Sequence, residues 1–148
     1  MPGQHADPLG GILVLVQFVC IAVLVLGGSW LLPWWAWLLF ALGIIVFLLA
    51  AFSLGNNNIT VMPAPREGNS LTKRGIYGQV RHPMYLSVLL CGVAVALGVP
   101  SLWRWAALAA VVVDLVLKIR HEERRLTALH PEYPQVMMGV SRIIPGVW

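Results

Sequence analysis

The chain has 148 residues, 59% of them apolar, with ten Lys and Arg against six Asp and Glu, a formal net charge of +4. A water-soluble domain of this length carries roughly a quarter charged residues, yet none lies between Pro8 and Pro65, a stretch of 58 residues. That placement excludes a soluble globule, a disordered chain and a disulfide-stapled secreted fold, and leaves one integral membrane domain covering 1–148. The basic balance does not call for nucleic acid, because the cytoplasmic flanks of membrane helices collect Lys and Arg.

The first apolar run is 9–26, opened by Asp7-Pro8, a cap followed by a proline suited to the first helical turn. Gly27-Gly28-Ser29 ends it. No Lys or Arg precedes this run and no small-x-small site follows, so it reads as a span and not as a cleaved leader. The second run, 34–54, follows Pro33 and stops at Gly55 and three asparagines. The third, 84–98, follows Pro83, and the fourth, 102–117, follows the break Gly98-Val99-Pro100-Ser101. About 20 helical residues cross a bilayer core, so the first two spans are comfortable and the last two are short. The expected fold is an all-α integral membrane protein, with four transmembrane helices as two hairpins and cytoplasmic regions at 55–83 and 118–148. No breaker falls between Leu102 and Leu129, so the fourth helix should run about 40 Å and leave the membrane.

Pairing the spans as hairpins puts Arg66, Lys73, Arg74, Arg81, Lys118, Arg120, Arg124, Arg125 and Arg142 on one side and only Arg104 on the other. Nine against one sets both termini in the cytoplasm. Trp30, Trp34, Trp35, Trp37, Trp103 and Trp105 then mark the outer interface. Asn58-Ile59-Thr60 matches a glycosylation sequon, but on this orientation it stays cytoplasmic. Cys20 and Cys91 sit in apolar runs and read as buried small hydrophobes, neither a disulfide nor metal ligands.

Two polar clusters carry chemistry. Arg81-His82-Pro83-Met84-Tyr85 stands where the long connection meets the third helix, whose free N–H groups favour an anion. On residue type alone an interfacial anchor explains it equally well. Asp114, Lys118, His121 and Glu122 share a face of the fourth helix within about 100°, while Glu123 points further away. Asp114 is an ionisable group inside an apolar run, and so a functional candidate. A plain solvated helix end accounts for the glutamates by themselves. No metal-ligand spacing is present.

Together these segments resemble the isoprenylcysteine carboxyl methyltransferases and their relatives, the membrane phospholipid N-methyltransferases. The resemblance rests on Gly75-Ile76-Tyr77, Val80-Arg81-His82-Pro83-Met84-Tyr85-Leu86, Arg120-His121-Glu122-Glu123-Arg124, Pro131-Glu132-Tyr133 and Arg142-Ile143-Ile144-Pro145. It includes the lead-in Met62-Pro63-Ala64-Pro65-Arg66-Glu67-Gly68, seen in bacterial members and consistent with a bacterial inner membrane. The chain departs from the common pattern at Ile76, Ser87 and Val136, which bears on pocket shape and hence on substrate.

The resemblance implies an S-adenosylmethionine-dependent methyltransferase whose cofactor pocket is built from the cytoplasmic loop and the C-terminal segment. It implies His82, Pro83, Tyr85, Glu122, Glu123 and Tyr77 as cofactor neighbours. Arg81 and Arg124 are candidates to orient the acceptor. That acceptor would be lipophilic and drawn from membrane lipid or a lipidated molecule: a prenylcysteine-like carboxylate, or a phospholipid or other lipid amine. A homodimer sharing a membrane face is compatible with four helices. Two other readings compete: a small four-helix transporter, which would depend on Asp114, and a non-catalytic membrane subunit, which leaves the paired motifs without a purpose.

Overall fold

In the computed structural model, residues 7–54, 71 and 73–148 are described. Five α-helices are present there: α1 (Pro8–Leu26), α2 (Trp34–Leu54), α3 (Pro83–Gly98), α4 (Leu102–Leu129) and the short α5 (Tyr133–Val136), with a 3-10 turn at Gly75–Gly78. No strand is formed among the described residues beyond a single parallel bridge between Val80 and Ser141. The sequon and the 62–68 lead-in lie outside the described residues.

The helix limits follow from local chemistry. Asp7 Oδ1 accepts the Gly10 N–H at 3.0 Å and caps α1, with Pro8 in the first turn. Ser101 Oγ accepts the Arg104 N–H at 3.2 Å and caps α4. That helix runs unbroken for 28 residues, so the reading of one helix continuing past its apolar part holds.

The first two helices do not pack as a hairpin. α1 lies chiefly on α4 and α2 on α3, while α3 and α4 join the two pairs. The core between them gathers Leu24, Ala96, Ala107, Leu108, Val111 and Leu115. α2 reaches α3 closely because Gly43 has no side chain: a Cβ there would fall 2.5 Å from Cys91 Sγ. Both cysteines are free thiols.

Only 22% of the apolar window of α1 and 17% of that of α2 is buried. Each is long and apolar enough to cross a membrane, and a soluble protein would bury such helices in its core. Here Phe18, Leu38, Phe47 and Phe52 instead face outward, where hydrocarbon suits them and water does not. At the tip between α1 and α2, Trp30, Trp37 and Phe40 cluster with centroids about 6 Å apart, both tryptophans meeting Phe40 edge-to-face.

Arg104, expected as the lone basic residue on the outer side, is fully buried. Its Nε donates to Leu24 O at 3.2 Å, Nη1 to Val99 O at 3.1 Å and Nη2 to Ser29 O at 3.0 Å. It thereby satisfies carbonyls left open at the C-terminal ends of α1 and α3. Gly28 makes room: a Cβ there would lie 3.2 Å from the guanidinium carbon.

Candidate active site

The site forms where the start of α3, the C-terminal half of α4 and the C-terminal tail converge. The Val80–Ser141 bridge sets this up. Arg81 N donates to Ser141 O at 2.8 Å and His82 N to Arg142 O at 2.9 Å, so the tail is fastened beside the first turn of α3. Pro83 occupies that turn, and the His82 carbonyl accepts the N–H groups of Tyr85 and Leu86.

Arg81 is a clasp. Nε donates to Val140 O at 2.8 Å, Nη2 to Met137 O at 2.9 Å and Nη1 to Glu123 Oε1 at 3.1 Å. Three of its five N–H donors are thus committed within the protein, holding the tail to α4. Glu123 also accepts from Arg142 Nε at 3.0 Å. The expectation that Glu123 points away from the cluster is corrected here. Arg81 and the tail approach α4 from the side opposite α1, and so draw Glu123 into the centre. His121 goes the other way, meeting Asp7 at 2.9 Å beside Arg125 at 3.2 Å. Burial works against the charged Asp7 carboxylate, but the Gly10 N–H, His121 and Arg125 outweigh it and hold its pKa below the usual range.

His82 lies between the two glutamates, Nδ1 3.5 Å from Glu122 Oε2 and Nε2 3.5 Å from Glu123 Oε1. Its ring stacks on Tyr85, centroids 5.4 Å apart at 11°, and the Tyr85 hydroxyl donates to Glu122 Oε2 at 3.0 Å. Burial disfavours the imidazolium, yet the two carboxylates prevail and raise the His82 pKa to about 9. Glu123 shows the reciprocal balance: burial opposes its charge, and His82 and Arg142 hold its pKa at about 2. Tyr77 and Tyr133 are buried alongside. Burial, reinforced by Glu122 for Tyr77 and by Glu123 for Tyr133, pushes both phenols up. Tyr77 is delivered by the 3-10 turn, whose first residue, Gly75, has φ +57°. A Cβ there would strike Ser53 Oγ at the end of α2.

One turn deeper, Lys118 Nζ lies 5.9 Å over the Tyr85 ring and 4.0 Å from Asp114 Oδ2, and it hydrogen bonds to Gln17 Oε1. The Asp114 oxygens find no hydrogen-bond partner among the described residues. Arg124 is exposed and lines an open groove on α4 that borders the His82 cluster at Glu123.

His82, Pro83, Tyr85, Glu122, Glu123, Tyr77 and Arg81 are therefore brought together. The resemblance implied a part for the C-terminal segment but not the roles of its residues: Arg142 holds Glu123, and Tyr133 is buried alongside. Their only signal was membership in the Pro131-Glu132-Tyr133 and Arg142-Ile143-Ile144-Pro145 motifs.

Residues 31–132 match the family model described as phospholipid methyltransferase. The chain belongs to the phospholipid methyltransferase family. Search of curated proteins returns no significant match. The family match spans α2 through the start of α5 and so takes in Tyr77, the Arg81–Tyr85 segment and the Glu122–Glu123 pair. Ser141 and Arg142, which close the site from the tail, lie beyond it. The family makes the chain a membrane methyltransferase, in keeping with the outward apolar faces of α1 and α2.

Proposed function

We propose that the protein transfers a methyl group from S-adenosylmethionine to a lipophilic acceptor at the cytoplasmic face of the membrane. The observation that carries this is the convergence of His82, Tyr85, Glu122 and Glu123 on one point. Two carboxylates beside stacked ring faces suit a cationic donor. His82 is buried, with Nε2 facing Glu123 Oε1 and Nδ1 facing Glu122 Oε2, each at 3.5 Å, and so holds both carboxylates in place beside the ring faces. These residues fit the cofactor, which supplies an activated methyl on a sulfonium. Glu122 would face its positive charge and Tyr85 would present a ring face. Arg81 would act at one remove, by keeping the tail closed on α4. Positioning, with water excluded, supplies much of the rate in such a transfer.

Four spans, α1 to α4, with both termini cytoplasmic are part of this reading. The burial of Arg104 supports it, because the one basic residue on the outer side is satisfied internally and is not a surface charge. The acceptor is either a prenylcysteine-like carboxylate, as the Arg81–Tyr85 motif suggests, or a lipid amine, as the family description suggests. Labelled methyl transfer into membrane extracts separates them: a methyl ester is released by mild base and an N-methyl group is not. Absence of labelling in both lipid and protein fractions, with folded enzyme and cofactor present, would overturn the function.

A further inference from the structure

Beside the His82 cluster, and sharing Glu123 and Arg142 with it, α4 and the tail form an open groove of about 390 Å³ lined by Arg120, Glu123, Arg124, Thr127 and Arg142. Its charge is lopsided. Glu123 is already matched by Arg81 at 3.1 Å and Arg142 at 3.0 Å, and the Thr127 hydroxyl donates to the Glu123 carbonyl at 2.8 Å. Arg120 and Arg124 have no partner among the described residues, and at four-residue spacing they stand on one side of the helix. Two guanidinium groups thus line an open groove whose one carboxylate among the described residues, Glu123, is already matched by Arg81 and Arg142. Their planar forks match phosphate oxygens better than any other common group.

Position selects the source of that phosphate. The apolar part of α4 ends at Leu117, so Arg120 and Arg124 follow about 4.5 and 10 Å further along the axis. A bilayer's headgroup layer occupies the first 5–8 Å or so beyond the hydrocarbon on each side. Arg120 falls within it and Arg124 just beyond its outer edge.

We propose that this groove binds a phosphate ester, presented by an anionic lipid headgroup, and that this lipid is a resident neighbour of the enzyme and not the methyl acceptor. The proposal rests on the membrane placement given above but not on the methyl-transfer reading. The groove shares Glu123 with the proposed cofactor cluster, but Arg120 and Arg124, the residues tested, are not among the cofactor neighbours, so one reading can fail while the other stands.

The test uses the full-length protein in nanodiscs of phosphatidylcholine with increasing phosphatidylglycerol, and reads retained anionic lipid by native mass spectrometry. Arg124→Gln and Arg120→Gln are compared with Lys73→Gln, an exposed basic residue outside the groove. Bulk attraction to an anionic surface is worth roughly fivefold per basic residue wherever it lies. The groove predicts a loss well above fivefold for Arg124→Gln and Arg120→Gln, and no more than fivefold for Lys73→Gln. Equal losses in all three would overturn it. Inorganic phosphate is titrated into the phosphatidylglycerol-containing discs as a second arm. Competition by phosphate at millimolar levels against bound phosphatidylglycerol supports a phosphate site filled by lipid. Phosphate binding with no selective retention of anionic lipid would overturn the lipid assignment.

Discussion

Replacing Glu123 by Gln is the perturbation that most directly probes how the site is held. The carboxylate receives Arg81 and Arg142 and faces His82, at 3.1, 3.0 and 3.5 Å, with a side chain only 14% exposed. Holding a carboxyl from its ordinary 4.5 down to about 2 corresponds to about 3 kcal/mol of stability at neutral pH. Gln keeps one acceptor oxygen and the shape, so the expected loss is about 2–3 kcal/mol. Denaturant unfolding in a fixed detergent, monitored by the tail residue Trp148, reads it. The tail should loosen first, because Glu123 is the anchor shared by Arg81 and Arg142. Glu122→Gln should cost less, since Glu122 is more exposed and meets only His82 and Tyr85 among the described residues, with no arginine. A Glu123→Gln protein as stable as wild type, with an unchanged His82 titration, would refute the reasoning.

Arg104→Ala removes three charge-assisted hydrogen bonds from buried carbonyls and should cost about 4 kcal/mol. Arg104→Lys should rescue little, because one ammonium cannot span three acceptors; a loss under about 1 kcal/mol for the alanine variant contradicts the clamp. Lys118→Met strands the buried Asp114 charge and should cost about 3 kcal/mol, whereas Lys118→Met with Asp114→Leu should return close to wild type; additive losses in that cycle would contradict a coupled pair. Stability should fall as pH rises. The His82 pKa lies above its unfolded value, so its contribution is complete below about 6.5 and lost as pH passes about 9. The Glu123 contribution is complete above 4.5 and lost only as pH falls through about 2. A pH 6.5–9 stability profile of His82→Gln as steep as wild type would contradict this assignment.

What could be read in the sequence was local. Asp7, Pro8, Gly27, Pro33 and Pro83 set helix limits through caps and missing N–H groups, and the absence of any breaker from Leu102 to Leu129 announced one long α4. The Arg81–Tyr85 motif and the glutamate pair announced the site. What could not be read was which surfaces meet. α1 and α2 are apolar all round, so no stripe reveals that α1 prefers α4 and α2 prefers α3. Considered alone, α4 puts Glu123 off the cluster face. Only the bridge between Val80 and Ser141, 61 residues apart, brings Arg81 and Arg142 to its other side. The pairing of spans places Arg104 on the outer side, but nothing local shows three open carbonyls converging on it from α1, the 27–29 turn and the end of α3.

The central claim is that the His82–Tyr85–Glu122–Glu123 cluster holds the methyl donor. Isothermal calorimetry of the purified full-length protein with S-adenosylmethionine tests it most directly, with Glu122→Gln and His82→Ala beside the wild type. Saturable binding by the wild type, lost in both variants while they remain folded and membrane-inserted, is the predicted result. No binding by folded wild-type protein, or wild-type-like binding in both variants, would contradict it.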